Sequence, residues 1–234
     1  MENLSPEHTQ AQLLLTGDGS HSLVWPQMDE SYHSRHGAVR ESRHVFLSEG
    51  LAHWQSQHPE RTTVRILEVG FGTGLNAALA LEASLRQPVL QVDFVSLEAF
   101  PVPLDLVQQL NYPNFLDSQA RPYFLALHQA GWNQWSIITP NFRLRKENSR
   151  LEDWHSDQKY DLVFFDAFAP KKQQEMWQLD LIQKTVVNLD TGGVWVSYCA
   201  TGQLRRDLKT CGLIVERLPG PPGKREMTRG TKLD

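Results

Sequence analysis

Three carboxylates in this sequence stand where strands of an alternating chain end, and each borders a turn signal. Glu68 precedes Gly70, Gly72 and Gly74 in "LEVGFGTGLN", Glu98 closes "VLQVDFVSLE", and Asp166 follows the apolar run Leu162-Val163-Phe164-Phe165. Glycines at alternate positions let a backbone turn tightly and press against a ligand where side chains would clash. The spacing G-x-G-x-G differs from the dinucleotide form G-x-G-x-x-G. A carboxylate two residues before such a loop is a poor neighbour for phosphate and a good one for a cationic amine. An acid at a second strand end can accept from two ribose hydroxyls. Asp166 is followed by Phe168-Ala169-Pro170 and then by Lys171 and Lys172. A charge at the mouth of a buried strand costs free energy unless it is partnered or used. Asp166 therefore either caps the next helix or meets a ligand.

The elements that must position these residues can be read from periodicity. Residues 44–57 space Val45, Leu47, Leu51 and Trp54 as a helix would. Strand patterns follow at 64–70, 89–100, 142–148, 160–168, 192–199 and 213–218, with helical patterns at 75–87, 101–110, 173–189 and 202–212. Residues 1–45 lack clean periodicity, and TGDGS predicts hairpins or loops there. Strands alternating with helices predict an α/β fold, a doubly wound and mainly parallel sheet covered on both faces. The expected division is an N-terminal extension or flap over 1–57 and a core domain over 58–234. Ligands of such sheets bind outside the C-terminal strand ends, at the switch in strand order. That places Asp166 at the ligand edge.

An acid, three glycines and a second acid at these strand ends resemble the S-adenosylmethionine site of class I, Rossmann-like methyltransferases. The resemblance implies S-adenosyl-L-methionine as cofactor, with Glu68, Gly70, Gly72, Gly74, Asn76 and Glu98 around it. A third contact, to the adenine amino group, is expected after the third strand. The candidates are Glu147 and Asn148, either of which can accept from an exocyclic amine or simply end the strand.

Composition bounds the rest. The 234 residues are 40% apolar and 21% charged, enough to bury a core. No apolar stretch approaches the roughly 20 residues of a membrane span. The first residues lack a basic leader, and two cysteines make no disulfide framework, so a cytoplasmic setting is expected. His33, His36 and His44 match no metal-ligand spacing, and no metal is expected. Net charge is −4, but from Arg205 onward eight Lys/Arg face four Asp/Glu, which is +4 and leaves −8 on the remainder. A basic tail on an acidic body suits docking of a polyanion on one face, and equally suits an ordinary solvated surface.

Longer segments resemble one family. "TGDGSHSLVW", "DESYHSRHGAVRESRHVFL", "LEVGFGTGLN", "DAFAPKKQQEMW", "GGVWVSYCATGQLRRDL" and "VERLPGPPGKREM" are similar to the methyltransferase half of the bifunctional MnmC proteins and their stand-alone MnmD relatives. That resemblance implies N-methylation of the 5-aminomethyl group of (2-thio)uridine at the tRNA wobble position. No second, oxidase domain is expected in 234 residues, so the stand-alone form is implied. The resemblance places the substrate amine beside Asp166. Tyr32, His33 and Phe168 become candidates to border the wobble base, with Tyr32 and His33 alternatively closing the pocket as a flap. Lys171, Arg205, Arg206, Lys224 and Arg225 become candidates for tRNA phosphates. Glu147-Asn148 departs from the commoner patterns of the family, and the short end TRGTKLD predicts an incomplete closing strand. The competing readings are a small-molecule N- or O-methyltransferase and a non-catalytic cofactor- or RNA-binding module.

Overall fold

A computed structural model of the protein describes residues 11–25 and 30–233. In chain order the strands are β1 (Gln12–Leu15), β2 (His21–Trp25), β3 (Glu30–Ser31), β4 (Thr63–Val69), β5 (Gln91–Leu97), β6 (Trp135–Thr139), β7 (Phe142–Glu147), β8 (Tyr160–Phe165), β9 (Leu189–Ser197), β10 (Leu213–Pro219) and β11 (Glu226–Lys232). The α-helices are α1 (Ala38–Ser42), α2 (His53–Gln57), α3 (Leu75–Arg86), α4 (Leu104–Val107), α5 (Tyr123–Gln129), α6 (Leu179–Val187) and α7 (Gly202–Thr210), with a π-wound stretch, Arg43–Ala52, joining α1 to α2. None of the described helices is long and apolar enough to cross a membrane. The expectation of no leader falls on residues 1–10, outside the described residues.

Eight strands form one sheet in the order β10-β11-β9-β8-β4-β5-β7-β6, and β1-β2-β3 form a small separate antiparallel sheet. Strands β9, β8, β4, β5 and β7 are parallel, β6 and β11 run against them at the two sides, and β10, antiparallel to β11, runs with the parallel set. The chain starts the sheet at β4, builds outward through β5 and β7, then returns to β8 on the other side. The switch in strand order therefore lies between β4 and β8. This is the class I methyltransferase architecture, Rossmann-like and mainly parallel.

Each face of the sheet carries its own core. On one side Ile66, Phe94, Phe142, Phe164 and Val196 pack against α3, α5 and the 38–57 segment. On the other, Leu67, Val95, Phe165 and Trp195 pack against α6 and α7. The continuous apolar run of β8 follows from its central place, buried at every position. The 38–57 segment belongs to this packing: a Cβ on Gly50 would lie 3.1 Å from Phe164 and 3.2 Å from Val196, so the π-wound stretch touches the sheet directly. Trp54, Trp154, Trp177 and Trp195 are all core residues.

Three sequence expectations give way here. The closing strand is complete: β11 inserts between β9 and β10 and buries Met227, Thr228, Arg229 and Gly230. The helix expected over 173–189 is a single 3₁₀ turn, Gln174–Trp177, followed by α6, and that expected over 101–110 shortens to α4. Helix α5 and strand β6 have no counterpart in the sequence reading.

Candidate active site

Register brings the chemistry into one row. Val69 of β4 pairs with Phe165 of β8 and Leu97 of β5, and Leu97 pairs with Glu147 of β7. The next residue on each strand end is thus Asp166, Gly70, Glu98 and Asn148, side by side at the carboxyl edge. Backbone bonds continue across that row: Asp166 N donates to Val69 O at 3.0 Å, Gly70 N to Leu97 O at 2.9 Å, and Glu98 N to Glu147 O at 2.9 Å.

The glycine loop turns over this edge with φ of 94° at Gly70, 47° at Gly72 and 70° at Gly74, all left-handed. Glu98 holds the loop: Gly72 N donates to its Oε2 and Phe100 N to its Oε1, both at 2.8 Å. Burial raises the Glu98 carboxyl above its ordinary range, and the backbone N–H groups oppose that rise. Glu98→Ala removes both this loop contact and the acceptor for a ligand hydroxyl. Cofactor affinity should fall by roughly 10- to 150-fold, the worth of a charged hydrogen-bonding group. Calorimetry showing wild-type cofactor affinity would remove Glu98 from the site.

Asn76, in the first turn of α3, donates from Nδ2 to Asp166 Oδ2 at 2.8 Å. That bond disposes of the capping alternative: Asp166 faces Asn76, and Gln178 occupies the cap of α6. The Asp166 carboxyl is pushed up to about 7, chiefly by burial and then by Glu41, while the Asn76 bond and Lys224 pull it down. Glu68 is fully buried and receives Ser96 Oγ at 2.5 Å, so it lies beneath the loop rather than open at the cleft. Its carboxyl is also held well above the ordinary range, first by burial and then, against the Ser96 bond, by Asp166 and Glu98.

Whether the fold family's cofactor suits these residues can be tested on the charges. Among the described residues Glu68, Glu98 and Asp166 have no ion-pair partner, and Glu68 Oε1 and Asn76 Oδ1 are buried acceptors without a donor. A cleft with Glu98 and Asp166 at its edge, Glu68 buried beneath its loop and spare acceptors repels a pyrophosphate. It fits a cationic, donor-bearing ligand, which describes a sulfonium carrying an ammonium group. Glu98, Gly70, Gly72 and Asn76 would hold S-adenosyl-L-methionine, with Asn148 at the adenine end of the row.

Asn148 is set by Nδ2 donating to Glu98 O at 3.0 Å and by its N–H donating to Asn133 Oδ1 at 3.0 Å. The Glu147 carboxylate pairs with Arg145 at 2.9 Å, which leaves Asn148 the better placed of the two. Aromatic rings wall the other side. Tyr32 lies against Gly72, where a Cβ would approach its Cδ1 to 2.9 Å, and packs edge-on to Phe168 at 5.1 Å. Trp25 touches both Tyr32 and Phe168 at 6.3 Å. His33 differs from expectation: it is buried, its N–H donates to Ser22 Oγ at 3.1 Å, and its ring packs edge-on to Tyr112. Burial lowers the imidazole to about 4, so His33 supports the wall from inside.

The basic tail is mostly answered within the fold. Arg205 binds Glu226 at 2.8 Å, Arg217 binds the same carboxylate, Arg229 binds Glu49 and Glu216, and Lys224 meets Glu41 at 2.5 Å. Arg205 and Lys224 are therefore engaged internally rather than offered to phosphate. Arg206, Arg225 and Lys171 are exposed. An open cleft of about 540 Å³ lies beside this hairpin, lined by Tyr198, Cys199, Lys224 and Arg225 among others.

Sequence reasoning overlooked Glu41, Tyr198 and Lys146. Lys146 is a fully buried cation that donates to His128 O at 2.6 Å between the rings of Phe71 and Trp132. Burial lowers its amine to about 8. The alternation of "FRLRKE" held the signal, since it puts Lys146 on the same face as Phe142 and Leu144.

The chain is similar to known proteins. The profile of a family described as S-adenosyl-L-methionine-dependent methyltransferase matches residues 144–233. A bifunctional MnmC protein of tRNA 5-methylaminomethyl-2-thiouridine biosynthesis from Chromobacterium violaceum is 31% identical over 95% of this chain and 34% of its own length. Its namesake from Pseudoalteromonas atlantica is 29% identical over 94% of this chain and 33% of its own. The chain thus spans about one third of the length of these relatives. The crystal structure of MNMC2 from Aquifex aeolicus superposes with a TM-score of 0.77 at 29% identity, covering 96% of this chain and 71% of that one. Strand order, an acidic row at the carboxyl edge and these similarities together give the chain the fold of the class I S-adenosyl-L-methionine-dependent methyltransferases and a sequence similar to the MnmC proteins.

Proposed function

We propose that this protein methylates the amine of a 5-aminomethyl group on the wobble (2-thio)uridine of tRNA, in the cytoplasm, giving 5-methylaminomethyl-(2-thio)uridine. The observation that carries the reading is Asp166. It is a carboxyl of raised proton affinity at the switch point, fixed by Asn76, between the glycine loop and a wall of Tyr32 and Phe168. The names of the MnmC relatives support the choice of nucleoside.

A primary alkyl amine, with a pKa of about 10, is mostly protonated at neutral pH and has no lone pair to offer. The site must align the nitrogen and take a proton. S-adenosyl-L-methionine supplies the electrophilic methyl group when bound. Asp166 accepts an N–H bond from the amine and turns the lone pair toward the methyl carbon. The Asp166 carboxylate would take the proton that the substrate ammonium must lose to free its lone pair, and methyl transfer to that nitrogen is the chemistry the bound cofactor would supply. A carboxyl near 7 is a stronger base than an ordinary aspartate, and burial among apolar walls is what makes it so. Tyr32 and Phe168 offer faces for a splayed pyrimidine, as readers of single-stranded RNA do. Of the expected extension over 1–57, residues 38–57 are built into the core, and the described residues 11–25 and 30–37 act in this reading as the flap, with Tyr32 against Gly72.

Arg206, Arg225 and Lys171 are the phosphate contacts, fixing register without reading sequence. Alanine at both Arg206 and Arg225 should weaken tRNA binding and flatten its salt slope by up to about 2. Arg205→Ala should leave the slope unchanged, because its charge is spent on Glu226. Equal slopes for all variants would mean tRNA docks elsewhere. The functional test is nucleoside analysis of tRNA from a deletion strain. Accumulated 5-aminomethyl-(2-thio)uridine is expected, and an unchanged nucleoside profile would refute the assignment.

A further inference from the structure

Beside Asp166 stands a pair of opposite charges that the methyl-transfer chemistry does not use. Glu41, buried in α1, accepts Ser34 N at Oε1 at 3.0 Å and meets Lys224 Nζ at Oε2 at 2.5 Å. Lys224 comes from the turn between β10 and β11, more than one hundred and eighty positions later in the chain. Its Nζ lies 3.7 Å from the ring centroid of Tyr198, and Tyr198 Oη donates to Ala167 O at 2.8 Å. Ala167 is the neighbour of Asp166. The turn is fitted closely: at Gly223, with φ of 87°, any Cβ would collide with the His36 ring. The N-terminal segment, the C-terminal hairpin and the β8 strand end are thus linked here by the Glu41–Lys224 pair, the Lys224–Tyr198 contact and the Tyr198–Ala167 hydrogen bond.

We propose that the Glu41–Lys224 pair is a positioning device that governs when the Asp166 carboxyl ionises. The inference rests on the reading that Asp166 acts on the substrate amine. A device of this kind has a reason to exist. An aspartate buried without a cation would stay protonated and could accept nothing, while one paired directly to lysine would be too weak a base. Placing the cation against a second carboxylate leaves Asp166 a small, adjustable field. The other titratable groups within the electrostatic reach of Asp166 are Glu68 from β4, Tyr112 from the turn at 112–115 and Tyr198 after β9, each of them raised by the Asp166 charge. None of these is a cation, so Lys224 is the charge that favours the ionised form, alongside the Asn76 hydrogen bond. The separate effects have opposite signs, Glu41 raising the Asp166 carboxyl and Lys224 lowering it.

Opposite signs make the proposal testable without any activity assay. In 13C carboxyl NMR, with Asp166→Asn identifying the signal, the Asp166 midpoint should fall in Glu41→Gln, since Lys224 is left uncompensated. It should rise in Lys224→Met, since Glu41 is left uncompensated. Each shift should reach at least about half a pH unit, below the 1–3 units of a directly contacting charge. Lys224→Arg keeps the charge and should keep the wild-type midpoint. Midpoints that do not move, or that move the same way in both neutral variants, would overturn the proposal and mark the pair as packing. Should Glu41→Gln fail to fold, Lys224→Met against Lys224→Arg decides alone. The acid limb of the pH–rate profile should move with the NMR midpoint. Failure of the underlying reading looks different: Asp166→Asn would retain turnover, whatever the titrations show.

Discussion

Asp166→Asn should lose turnover by about 10²–10⁴ while becoming more resistant to heat at alkaline pH. The first effect follows from removing a positioned base. The amide still offers one acceptor to Asn76 and changes no volume, so cofactor and tRNA affinity should hold. The second effect follows from linkage. The folded-state carboxyl, at about 7, lies above its unfolded value near 3.9, so the folded protein binds this proton more tightly. The stability gained from that proton is complete below about pH 4 and is lost as pH rises through about 7. An asparagine carries no such dependence. The melting temperature of the variant should therefore exceed wild type at pH 8 and converge with it at pH 4. Calorimetric scans at the two pH values check this directly. A variant less stable than wild type at pH 8 would make Asp166 a structural residue. The same titration predicts that wild-type kcat/KM rises through about pH 7 in the free enzyme.

Gly70→Ala should lower both methyl transfer and cofactor affinity steeply. At φ of 94° an L-residue is strained, by roughly 1–2 kcal/mol in left-handed backbone. The added Cβ would also sit 2.8 Å from Asp166 O, a backbone atom that cannot swing aside. The β4 and β8 ends would have to part, displacing both the loop and the base. A misplacement of about 1 Å costs on the order of 10²-fold in rate, and cofactor affinity should drop with it. Gly212→Ala supplies the comparison. Its φ is 89°, but no atom lies within 4 Å of the added Cβ. It should lower stability by a similar strain and leave methyl transfer alone. Equal losses of activity in the two variants would show that strain, not the approach to Asp166, is what Gly70 avoids.

What could be read from the sequence was whatever lay on central strands and their ends. Strand β8 is buried on both faces, so its apolar run and abrupt Asp166 were visible. Glu68, the three glycines and Glu98 were visible because turn chemistry punctuates β4 and β5. The β11 strand was hidden for the opposite reason. Its sequence, EMTRGTK, looks like a solvated end, yet Arg229 is buried there between Glu49 and Glu216 contributed by distant segments. Helix α5 and strand β6 occupy a stretch where Trp135 and Ile137 stay exposed, which defeats an amphipathic reading. The tail charge misled likewise. Arg205 and Lys224 read as free cations because their partners, Glu226 and Glu41, become neighbours only through the hairpin and the N-terminal segment. The pairing of Asn76 with Asp166 joins residues ninety positions apart and is fixed by the β4–β8 register, which no local pattern encodes.

The most direct measurement supplies the purified protein with methyl-labelled S-adenosyl-L-methionine and tRNA carrying 5-aminomethyl-2-thiouridine at the wobble position, then identifies the labelled nucleoside by mass spectrometry. The expected product is 5-methylaminomethyl-2-thiouridine, formed by wild type and almost absent with Asp166→Asn. Label on another nucleoside, or equal yield from the Asp166 variant, would contradict the assignment.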